Sequence, residues 1–480
     1  MIATALEFRE IRRAFEEQPL FEDKSWQLSP AAWELTAKQV REIERIGEAC
    51  LAFHKALERL YLRAYEGQNL LRNRKLTAPW VAEFLDRGKP GPLLEHARSK
   101  RTRGVLPSVI RPDLLVTEEG FALTEIDSVP GGIGLTAFLN RLYSGDPTVI
   151  GGADAMIEGF YRSLADMAPD KELPVIAILV SDEAATYRPE MEWMAGVLRE
   201  QGRKVYCLHP SEVIPLGNTV CLDAEGSPEQ IDVIYRFWEL FDLANVPIAQ
   251  YILDAWEDSQ LKVTPPMRPF QEEKMALALF HHHILEEYWK ESLPRADFEL
   301  LSQIIPKSWI VEPADLPPNA VLDAPSVGGK PIRSWEELGE ASQKERDYIL
   351  KISGFHEEAW GARSVLYGGD TSRGRWREGL QEACARSDRN PYILQEYRKP
   401  KRLRHSLYWP REEEEEPAVK EVEGRLRLCP YYFVSNNTVR LSGILATFCP
   451  ADKKIIHGMR DAAMLPCRQG EAESANRLSE

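Results

Sequence analysis

Apolar residues recur at helical spacing through the first hundred residues. Between residues 30 and 66, Ile43, Ile46, Cys50 and Phe53 follow one another in steps of three or four, which places them on one face of a helix. We therefore expect a long amphipathic helix here, beginning just after a proline. The pattern of neighbouring segments such as "PWVAEFLDRG" extends this expectation to a mainly helical region over residues 1–104.

Shorter apolar runs begin near residue 105. "SVIRPDLLVT" and "FALTEID" predict two strands around a turn. The run "LPVIAILVS" is apolar throughout, which is typical of a strand buried on both faces. "RPEMEWMAGVLREQG", "RKVYCLH" and "IDVIYRFW" then predict a helix and two more strands. Strand, helix and strand in this order form a parallel α/β unit, so we expect a small Rossmann-like domain over residues 171–260.

The C-terminal half predicts one helix followed by a sheet. "TPPMRPFQEEKMALALFHHHILEEYW" predicts a continuous helix after its prolines. "YILKIS", "RSVLY", "PYILQEY", "RLCPYYFV" and "VRLSGILATF" predict strands of a mostly antiparallel sheet, with a helix at "WREGLQEACARS". The run "REEEEEP" at 411–417 predicts a solvated acidic loop between two strands.

Composition narrows the classes of function. A chain of 480 residues with 44% hydrophobic and 28% charged residues is typical of a globular protein of two or three domains. The net charge of −15, without a stripe of Lys and Arg, argues against nucleic acid or an anionic membrane as partner. No apolar run approaches the roughly 20 residues that cross a bilayer. Seven cysteines without C-x-x-C spacing, and an N-terminus without a secretory pattern, predict a cytoplasmic protein.

The stretch "TEIDSVPGGIGLT" at 124–136 supports two interpretations. From Gly132 it matches G-x-G-x-x-A, and Asp154 follows the second glycine by 20 residues, which is the spacing of a dinucleotide-binding fingerprint. An NAD-dependent dehydrogenase would follow. However, Glu125 and Asp127 would bring negative charge toward a pyrophosphate, and no strand pattern leads up to Asp154.

The carboxylates support the second interpretation. Side chains two apart on a strand face the same side, so Glu125 and Asp127 share a face, as do Arg111 and Asp113. If the two strands pair, the three acids converge. Carboxylates of this kind bind Mg²⁺, which bridges them to phosphates, and arginine offers a planar fork to a phosphoryl group. The alternative is a surface hairpin with ordinary charges.

A second group of candidates lies in "DYILKISGFHEEAWGARSVLYGGD" at 347–370. A strand carries Lys351, and the loop after it contains Gly354 and Gly361. A lysine beside a glycine-containing loop is an arrangement that binds nucleotide phosphates. Further candidates for nucleotide contacts lie next to or at the ends of predicted strands: Lys307, Gln395, Glu396 and Tyr397.

These motifs together resemble the synthetase domain of glutathionylspermidine synthase and, more broadly, circularly permuted ATP-grasp carboxylate–amine ligases. The resemblance rests on R-x-D ending at Asp113, an acid twelve residues later at Glu125, and E-x-D ending at Asp127, followed by the lysine and glycine loop. It covers about residues 105–460. In this chain the acids come before the lysines, which is the order that the circular permutation implies.

The resemblance implies a fold of mixed α+β and α/β type with four parts. These are a helical region at 1–104, a metal-binding part of the ATP-grasp sheet at 105–170, a Rossmann-like domain before the ATP-grasp at 171–260, and nucleotide-binding lobes at 261–480. It also implies ATP and two Mg²⁺ as cofactors. A small-molecule or peptide carboxylate would be joined to an amine through an acyl phosphate.

The family's roles transfer to matching positions. Asp113, Glu125 and Asp127 would bind metal, and Arg111 would steady the transferring phosphoryl group. ATP would contact Lys307, Lys351, Gly354, Gly361, Gln395, Glu396 and Tyr397. The chain departs from the family in three ways. It has Asp127 where Asn is usual, and its glycine loop is longer. The family also has an active-site arginine late in the chain that has no clear match here, since the nearby Arg440 is offset from the expected position. A catalytically silent nucleotide-binding regulator is the alternative, against which the intact acids argue.

Two lesser features complete the candidates. Ser181, Tyr235 and Arg236 lie at or near strand ends of the 171–260 region, where open α/β sheets bind ligands, so they are candidate substrate contacts. For Arg236 a structural ion pair is an equal alternative. The run at 281–283, "HHH", is expected mid-helix, where successive side chains diverge and cannot form one metal face. The sequence leaves the substrates and the oligomeric state open.

Overall fold

The computed structural model describes residues 5–22, 24–127, 129–314, 316–359, 363–409, 417–458 and 461–470. Gly361 and most of the acidic run expected at 411–417 lie outside these ranges. The α-helices are α1 (Phe8–Glu16), α2 (Ala37–Tyr65), α3 (Pro79–Asp86), α4 (Gly91–Arg98), α5 (Ile133–Leu142), α6 (Ala155–Ala165), α7 (Arg188–Glu200), α8 (Ala249–Glu257), α9 (Met275–His281), α10 (Glu286–Ser292), α11 (Arg295–Ile304), α12 (Trp335–Gly339) and α13 (Arg373–Ala385).

The strands are β1 (Trp33–Leu35), β2 (Val109–Thr117), β3 (Gly120–Asp127), β4 (Ile176–Val180), β5 (Val205–Leu208), β6 (Ile214–Leu216), β7 (Thr219–Ala224), β8 (Ser227–Gln230), β9 (Val233–Phe237), β10 (Lys262–Thr264), β11 (Ser308–Val311), β12 (Tyr348–Ile352), β13 (Leu366–Tyr367), β14 (Tyr392–Glu396), β15 (Arg402–Trp409), β16 (Ala418–Ser435), β17 (Thr438–Pro450) and β18 (Ala463–Gln469). Helices and mixed sheets thus make up an α/β fold. Among the described helices, none combines the length and apolar character needed to cross a bilayer.

The largest sheet has the order β1-β18-β17-β16-β2-β3, and β15 also pairs with β16. Its strands are antiparallel except for β1 beside β18. Alternate residues of β16 enter two different cores. Leu428 and Tyr432 pack with α2, whereas Cys429, Tyr431 and Phe433 pack with α5 and α6. This period of two places one row of β16 side chains on the same side as the predicted acids.

Helix α2 confirms the long amphipathic helix, with a later start than expected. The Thr36 hydroxyl accepts a hydrogen bond from the Gln39 N–H, and the Gln39 side-chain oxygen accepts one from the Thr36 N–H, so this capping box begins the helix. The residues before it pair as β1 instead. Cys50 is fully buried, and burial raises the pKa of its thiol to about 12, as expected for a packed core cysteine.

A four-stranded parallel sheet has the order β10-β9-β4-β5. In β4, Ile176 and Ile178 pack with Met191 of α7, while Ala177 packs with Ile252 of α8 in a separate core. Helices therefore cover both faces, which explains the uninterrupted apolar run of this strand. A small antiparallel sheet, β6-β7-β8, is inserted between β5 and β9 and was not predicted.

The remaining predicted strands divide between two sheets. "YILKIS", "RSVLY" and "PYILQEY" contribute to an antiparallel sheet of order β11-β14-β12-β13, whereas the last two predicted strands join the largest sheet as β16 and β17. The prediction of a single continuous helix through "HHH" is wrong. Helix α9 ends at His281 because His282 takes an extended conformation, with φ −70° and ψ 122°, and a separate helix α10 begins at Glu286.

The contact between α2 and β16 can be tested with one methyl group. A Cβ on Gly47 would overlap the ring of Tyr432, which is fully buried. We expect Gly47→Ala to destabilise the protein by about 1–2 kcal/mol, because the overlap outweighs the gain of about 1 kcal/mol in helix propensity. Denaturation by urea, followed by circular dichroism, measures the change.

Gly196 supplies the matched control. It lies within α7, and beyond its neighbours in the helix no atom stands within 4 Å of the position that its Cβ would occupy. Gly196→Ala is therefore expected to stabilise the protein by about 0.5–1 kcal/mol. Changes of the same sign in both variants would contradict the packing described here.

Candidate functional site

A cavity of about 550 Å³ lies where the largest sheet faces the β11-β14-β12-β13 sheet. Strands β2, β3 and β16 line one side, and β12 and β14 line the other. Its volume is that of a site for a cofactor or small molecule. Charged side chains of both signs line it: Arg111, Asp113, Glu125, Asp127, Glu239, Lys274, Lys351, Glu396 and Arg427.

Arg111 links the two strands of the predicted hairpin. In the register of β2 and β3, Arg111 lies opposite Asp127, and Asp113 lies opposite Glu125. The Arg111 Nη2 atom stands 2.9 Å from Asp127 Oδ2 and 3.1 Å from Asp113 Oδ1. Burial opposes the charge of Arg111, but these two carboxylates outweigh it and raise its pKa well above the ordinary value. Arg111 is therefore a fixed positive charge between two acids.

Asp113 has a second arginine partner, from β16. Arg427 donates from Nη1 to Asp113 Oδ2 at 2.9 Å, and the Cys429 thiol donates to Oδ1 at 3.4 Å. Burial would raise the pKa of Asp113, but Arg111 and Arg427 together lower it. Asp113 is thus held as an anion.

Arg427 was missed from sequence, although it shares a period of two with Cys429 and Tyr431 in "RLRLCPYYFV". That alternation is the pattern that could have identified it, because the intervening residues enter the core behind the sheet. Arg440, the offset candidate, is exposed on β17 and does not line the cavity.

Glu125 is paired with a lysine that sequence reasoning also missed. Lys274, which directly precedes α9, donates from Nζ to Glu125 Oε1 at 2.8 Å and to the Ala359 carbonyl at 2.6 Å. Burial opposes the charge of Lys274, but Glu125 outweighs it and raises the pKa. In "QEEKMALALF" this lysine is indistinguishable from a solvated residue at a helix start, so only the tertiary fold identifies it.

Lys351 connects the two sides of the cavity. Its Nζ donates to the Thr124 carbonyl of β3 at 2.9 Å and to Gln395 Oε1 of β14 at 3.1 Å. Gln395 in turn donates from Nε2 to the Ser308 hydroxyl at 3.1 Å. Burial, with a further contribution from Lys274, lowers the pKa of Lys351 to about 8. The predicted lysine, the predicted glutamine and the acidic hairpin therefore meet at one place.

Glu396 and Tyr397 line the cavity together with Ile349, and Arg398 and Lys454 lie beside them. The ring of Tyr397 stacks on Tyr367 with centroids 4.2 Å apart, and its hydroxyl donates to the Lys454 carbonyl at 3.1 Å. A flat aromatic wall beside a strand end suits a planar base.

Two of the predicted phosphate contacts lie elsewhere. Lys307 is exposed, and its ammonium stands 5.1 Å from the ring centre of Trp309, so the structure does not bring it to the main cavity. Gly354 borders a small neighbouring cavity of about 50 Å³ together with Glu239 and Lys274. A Cβ on Gly354 would stand 3.0 Å from the Glu273 carboxylate, so close packing accounts for this glycine.

Ser181, Tyr235 and Arg236 are buried and do not line the cavity, which corrects the expectation that they face a substrate. Arg236 donates from Nε to the Pro265 carbonyl at 3.1 Å and forms an ion pair with Glu272. It has the structural role that was the alternative. The residues that do reach the cavity follow at the end of the strand: Phe237, Trp238 and Glu239.

The three acids offer only oxygen atoms, which is the donor set that Mg²⁺ prefers. Two ligands of one Mg²⁺ stand at most about 4.2 Å apart, because each lies about 2.1 Å from the ion. Within the described ranges, the carboxylate, thiolate and imidazole groups that come within 4.8 Å of one another as a set of three are those of His282, His283 and Asp323. As a set of three, Asp113, Glu125 and Asp127 are therefore spaced more widely than one shared ion allows.

The glycine turn of the stretch at 124–136 contacts Glu190 and Arg111. Gly132 has φ 86°, in the left-handed region, and precedes α5. Its N–H donates to Glu190 Oε1 at 2.7 Å, and the Leu135 N–H donates to Oε2 at 2.8 Å. The adjoining Gly131 carbonyl accepts a hydrogen bond from Arg111 Nη1 at 3.4 Å.

A protein carboxylate thus occupies the helix end that a pyrophosphate would need, which excludes the dinucleotide interpretation. The remaining part of the fingerprint is also accounted for structurally. Asp154 is paired with Arg141, whose Nε stands 2.6 Å from its Oδ1. The strand before the glycines, β3, is antiparallel to its neighbour rather than part of a parallel unit.

No family model matches this chain, and no curated protein matches it. Among solved structures, the chain is similar to a glutathione synthetase-like effector from Globodera pallida, with a TM-score of 0.51 and 12% identity over 96% of each chain. It also aligns with a provisionally assigned gamma-glutamylcysteine synthetase from Methylobacillus flagellatus KT, with a TM-score of 0.42 and 13% identity over 91% and 89% of the two chains. The first likeness shows a shared fold over nearly the whole chain.

Glu190 allows a test of the glycine turn. Burial raises its pKa to about 7 against the two backbone N–H groups, so at pH 8 the carboxylate accepts both hydrogen bonds. Glu190→Gln turns a donor toward one N–H. We therefore expect a loss of about 1–3 kcal/mol of stability at pH 8, measured by urea denaturation.

Glu192 lies in the same helix and is exposed, so Glu192→Gln is the control. Its stability is expected to stay within about 0.5 kcal/mol of the parent protein. If Glu190→Gln were no more destabilising than this control, the carboxylate would not be holding the turn.

Proposed function

We propose that this chain is an ATP-dependent carboxylate–amine ligase with a circularly permuted ATP-grasp fold, similar to the synthetase domain of glutathionylspermidine synthase. One observation carries the proposal. The hairpin with Arg111 and the three acids meets Lys351 and Gln395 across a single cavity. The fold likeness to a glutathione synthetase-like effector supports it.

The sheet order supports the permutation. Strands β2 and β3 come early in the chain, yet they pair with β16 from its C-terminal part. The early hairpin thus completes a sheet that late strands otherwise build. We propose residues 105–170 as the metal-binding part, 261–480 as the nucleotide-binding lobes, and 171–260, with its parallel sheet, as the Rossmann-like domain. The helical region at 1–104 packs behind the large sheet through α2.

ATP would bind with its base beside Tyr397 and its phosphates toward the acids of β2 and β3. Gln395, Glu396 and Tyr397 line the cavity at the end of β14, beside β12. Lys351 and Lys274 supply positive charge between this end and the acids. The triphosphate would exchange with the present partners of these lysines, which are backbone carbonyls, Gln395 and Glu125.

Asp113, Glu125 and Asp127 would hold the Mg²⁺ ions. Their spacing favours two ions over one, with Asp113 opposite Glu125 in the paired strands and Asp127 two residues beyond Glu125 on β3. Burial raises the pKa of Asp127, Arg111 opposes this, and Glu125 adds to it. The surroundings of Asp127, which stands where the family has Asn, therefore disfavour the charged form of its carboxyl group. Mg²⁺ would supply neutralising charge at the phosphates.

The proposed reaction has two steps. A substrate carboxylate attacks the terminal phosphorus of ATP, the bond to ADP breaks, and an acyl phosphate forms. The amine then attacks the acyl carbon, phosphate leaves, and an amide results with loss of the amine's proton. Each anion approaching phosphorus is repelled, and the fixed charge of Arg111 offsets that repulsion at the transferring oxygens.

Glu125 is the best residue for testing turnover, because its side chain is 32% exposed and its ionic partner is Lys274. We expect Glu125→Gln to abolish ADP release while the fold stays intact, because a ligand for the cations at the phosphates is lost. Asp113 is less suitable, since removing it strands two buried arginines at a cost of about 3–5 kcal/mol.

Glu118→Gln is the matched control, because Glu118 lies on the same hairpin with its side chain 75% exposed. ADP release is measured over a panel of acids and amines with Mg²⁺, alongside the thermal shift that ATP causes. Unchanged turnover in Glu125→Gln would contradict the metal assignment. ATP binding without turnover by the parent protein across the panel would favour the silent regulator.

The lowered pKa of Lys351 leads us to predict that nucleotide binding depends on pH. With a pKa of about 8, its ammonium is charged at pH 7 and neutral at pH 9. ATP affinity should therefore fall as the pH rises through 8, because the charged form attracts the phosphates. Lys351→Met should bind ATP more weakly at pH 7 and lose this part of the pH dependence, as measured by calorimetry.

Lys344→Met serves as the comparison, since Lys344 is exposed just before the same strand. Its affinity profile is expected to follow that of the parent protein. An identical pH profile in Lys351→Met and the parent would show that Lys351 does not face the phosphates.

A further inference from the structure

A second cluster of possible metal ligands lies outside the cavity, at the joint between α9 and α10. His282 and His283 occupy the joint, and Asp323 comes from the connection between β11 and α12. One ligand atom of each side chain lies within 4.8 Å of those of the other two. None of the three lines the cavity.

The end of α9 brings the two histidines together. Because His282 leaves the helix in an extended conformation, its ring and that of His283 lie side by side, with centroids 4.9 Å apart and planes at 17°. His281 stays within α9 and donates from Nε2 to the Ile305 carbonyl at 3.0 Å, so it is not part of the cluster. The expectation that these side chains diverge assumed one continuous helix through the run. Helix α9 ends at His281, so that assumption does not apply to His282 and His283.

Each ligand is already oriented. The His282 ring lies against Trp80 with centroids 4.6 Å apart, and its Nδ1 accepts a hydrogen bond from the Ile284 N–H at 3.3 Å, which leaves Nε2 for a metal. His283 Nδ1 is hydrogen-bonded to Asp323 Oδ2 at 2.8 Å. The Asp323 carboxylate thus already contacts one of the two imidazoles, and a ligand atom of each of the three side chains lies within 4.8 Å of the others.

We propose that His282, His283 and Asp323 bind a transition-metal ion of the Zn²⁺ type, with water as the fourth ligand. Two imidazole nitrogens and one carboxylate oxygen are a common ligand set of Zn²⁺ at four-coordinate sites, whereas Mg²⁺ prefers oxygen alone. The site therefore selects a different ion from the acids in the cavity. A bound ion would fasten the connection after β11 to the joint after α9, and this inference does not depend on the proposed ligase activity.

Calorimetric titration of the full chain with Zn²⁺, after treatment with a chelator and with excess Mg²⁺ present, tests the proposal. The parent protein is expected to bind one Zn²⁺ at this site, and His283→Ala and Asp323→Asn should each weaken that binding at least about tenfold. His209→Ala is the matched control, because His209 stands 3.4 Å from Asp182 as a surface pair that lacks the second imidazole. It should bind Zn²⁺ as the parent does.

Co²⁺ in place of Zn²⁺ gives a second measurement, since four-coordinate Co²⁺ absorbs strongly in the visible range. The parent and His209→Ala should develop this absorption, and His283→Ala should not. Circular dichroism checks that the variants are folded. Equal Zn²⁺ affinity in the parent and both ligand variants, or no binding by the parent, would overturn the proposal, and neither outcome would bear on ADP release.

Discussion

The guanidinium of Arg111 lies between carboxylates on two neighbouring strands, and the geometry of the cavity depends on this contact. It is bound to Asp113 within β2 and to Asp127 across the pair, while Arg427 approaches Asp113 from β16. Buried charges of this kind are costly unless each keeps its partner. These ion pairs join three adjacent strands, and they place fixed charges at the cavity in the way that the proposed catalysis would require.

Two lysines join this hairpin to the opposite side of the cavity. Lys351 reaches a carbonyl of β3, and Lys274 reaches Glu125 and the Ala359 carbonyl. Under the proposed function, an anionic nucleotide would compete for both lysines. Glu125 would then be released from Lys274 toward the cations that accompany the phosphates. In that proposal, the ion pairs seen here occupy the positions of the ligand and metal charges.

Local patterns were sufficient to predict the acidic hairpin, because a strand repeats every two residues and Arg111, Asp113, Glu125 and Asp127 obey that repeat. They were not sufficient for Lys274 or Arg427, whose partners are distant in sequence and become neighbours only through the sheet order. Arg236 was placed in the correct strand, but its side chain faces Glu272 rather than the cavity. The histidine run was misjudged because the helix end after His281 depends on tertiary packing. The pattern of "DYILKIS" located the strand with Lys351, whereas Lys307, which the resemblance assigns to ATP, does not line the cavity.

A crystal structure with a non-hydrolysable ATP analogue and Mn²⁺ in place of Mg²⁺ tests the account most directly, because anomalous scattering locates Mn²⁺ without assumptions about the protein. We predict anomalous peaks beside Asp113, Glu125 and Asp127, with the triphosphate in contact with Lys351 and the base beside Tyr397. A nucleotide bound elsewhere, or these acids still paired only with Arg111, Arg427 and Lys274 while Mn²⁺ and nucleotide saturate the protein, would contradict it.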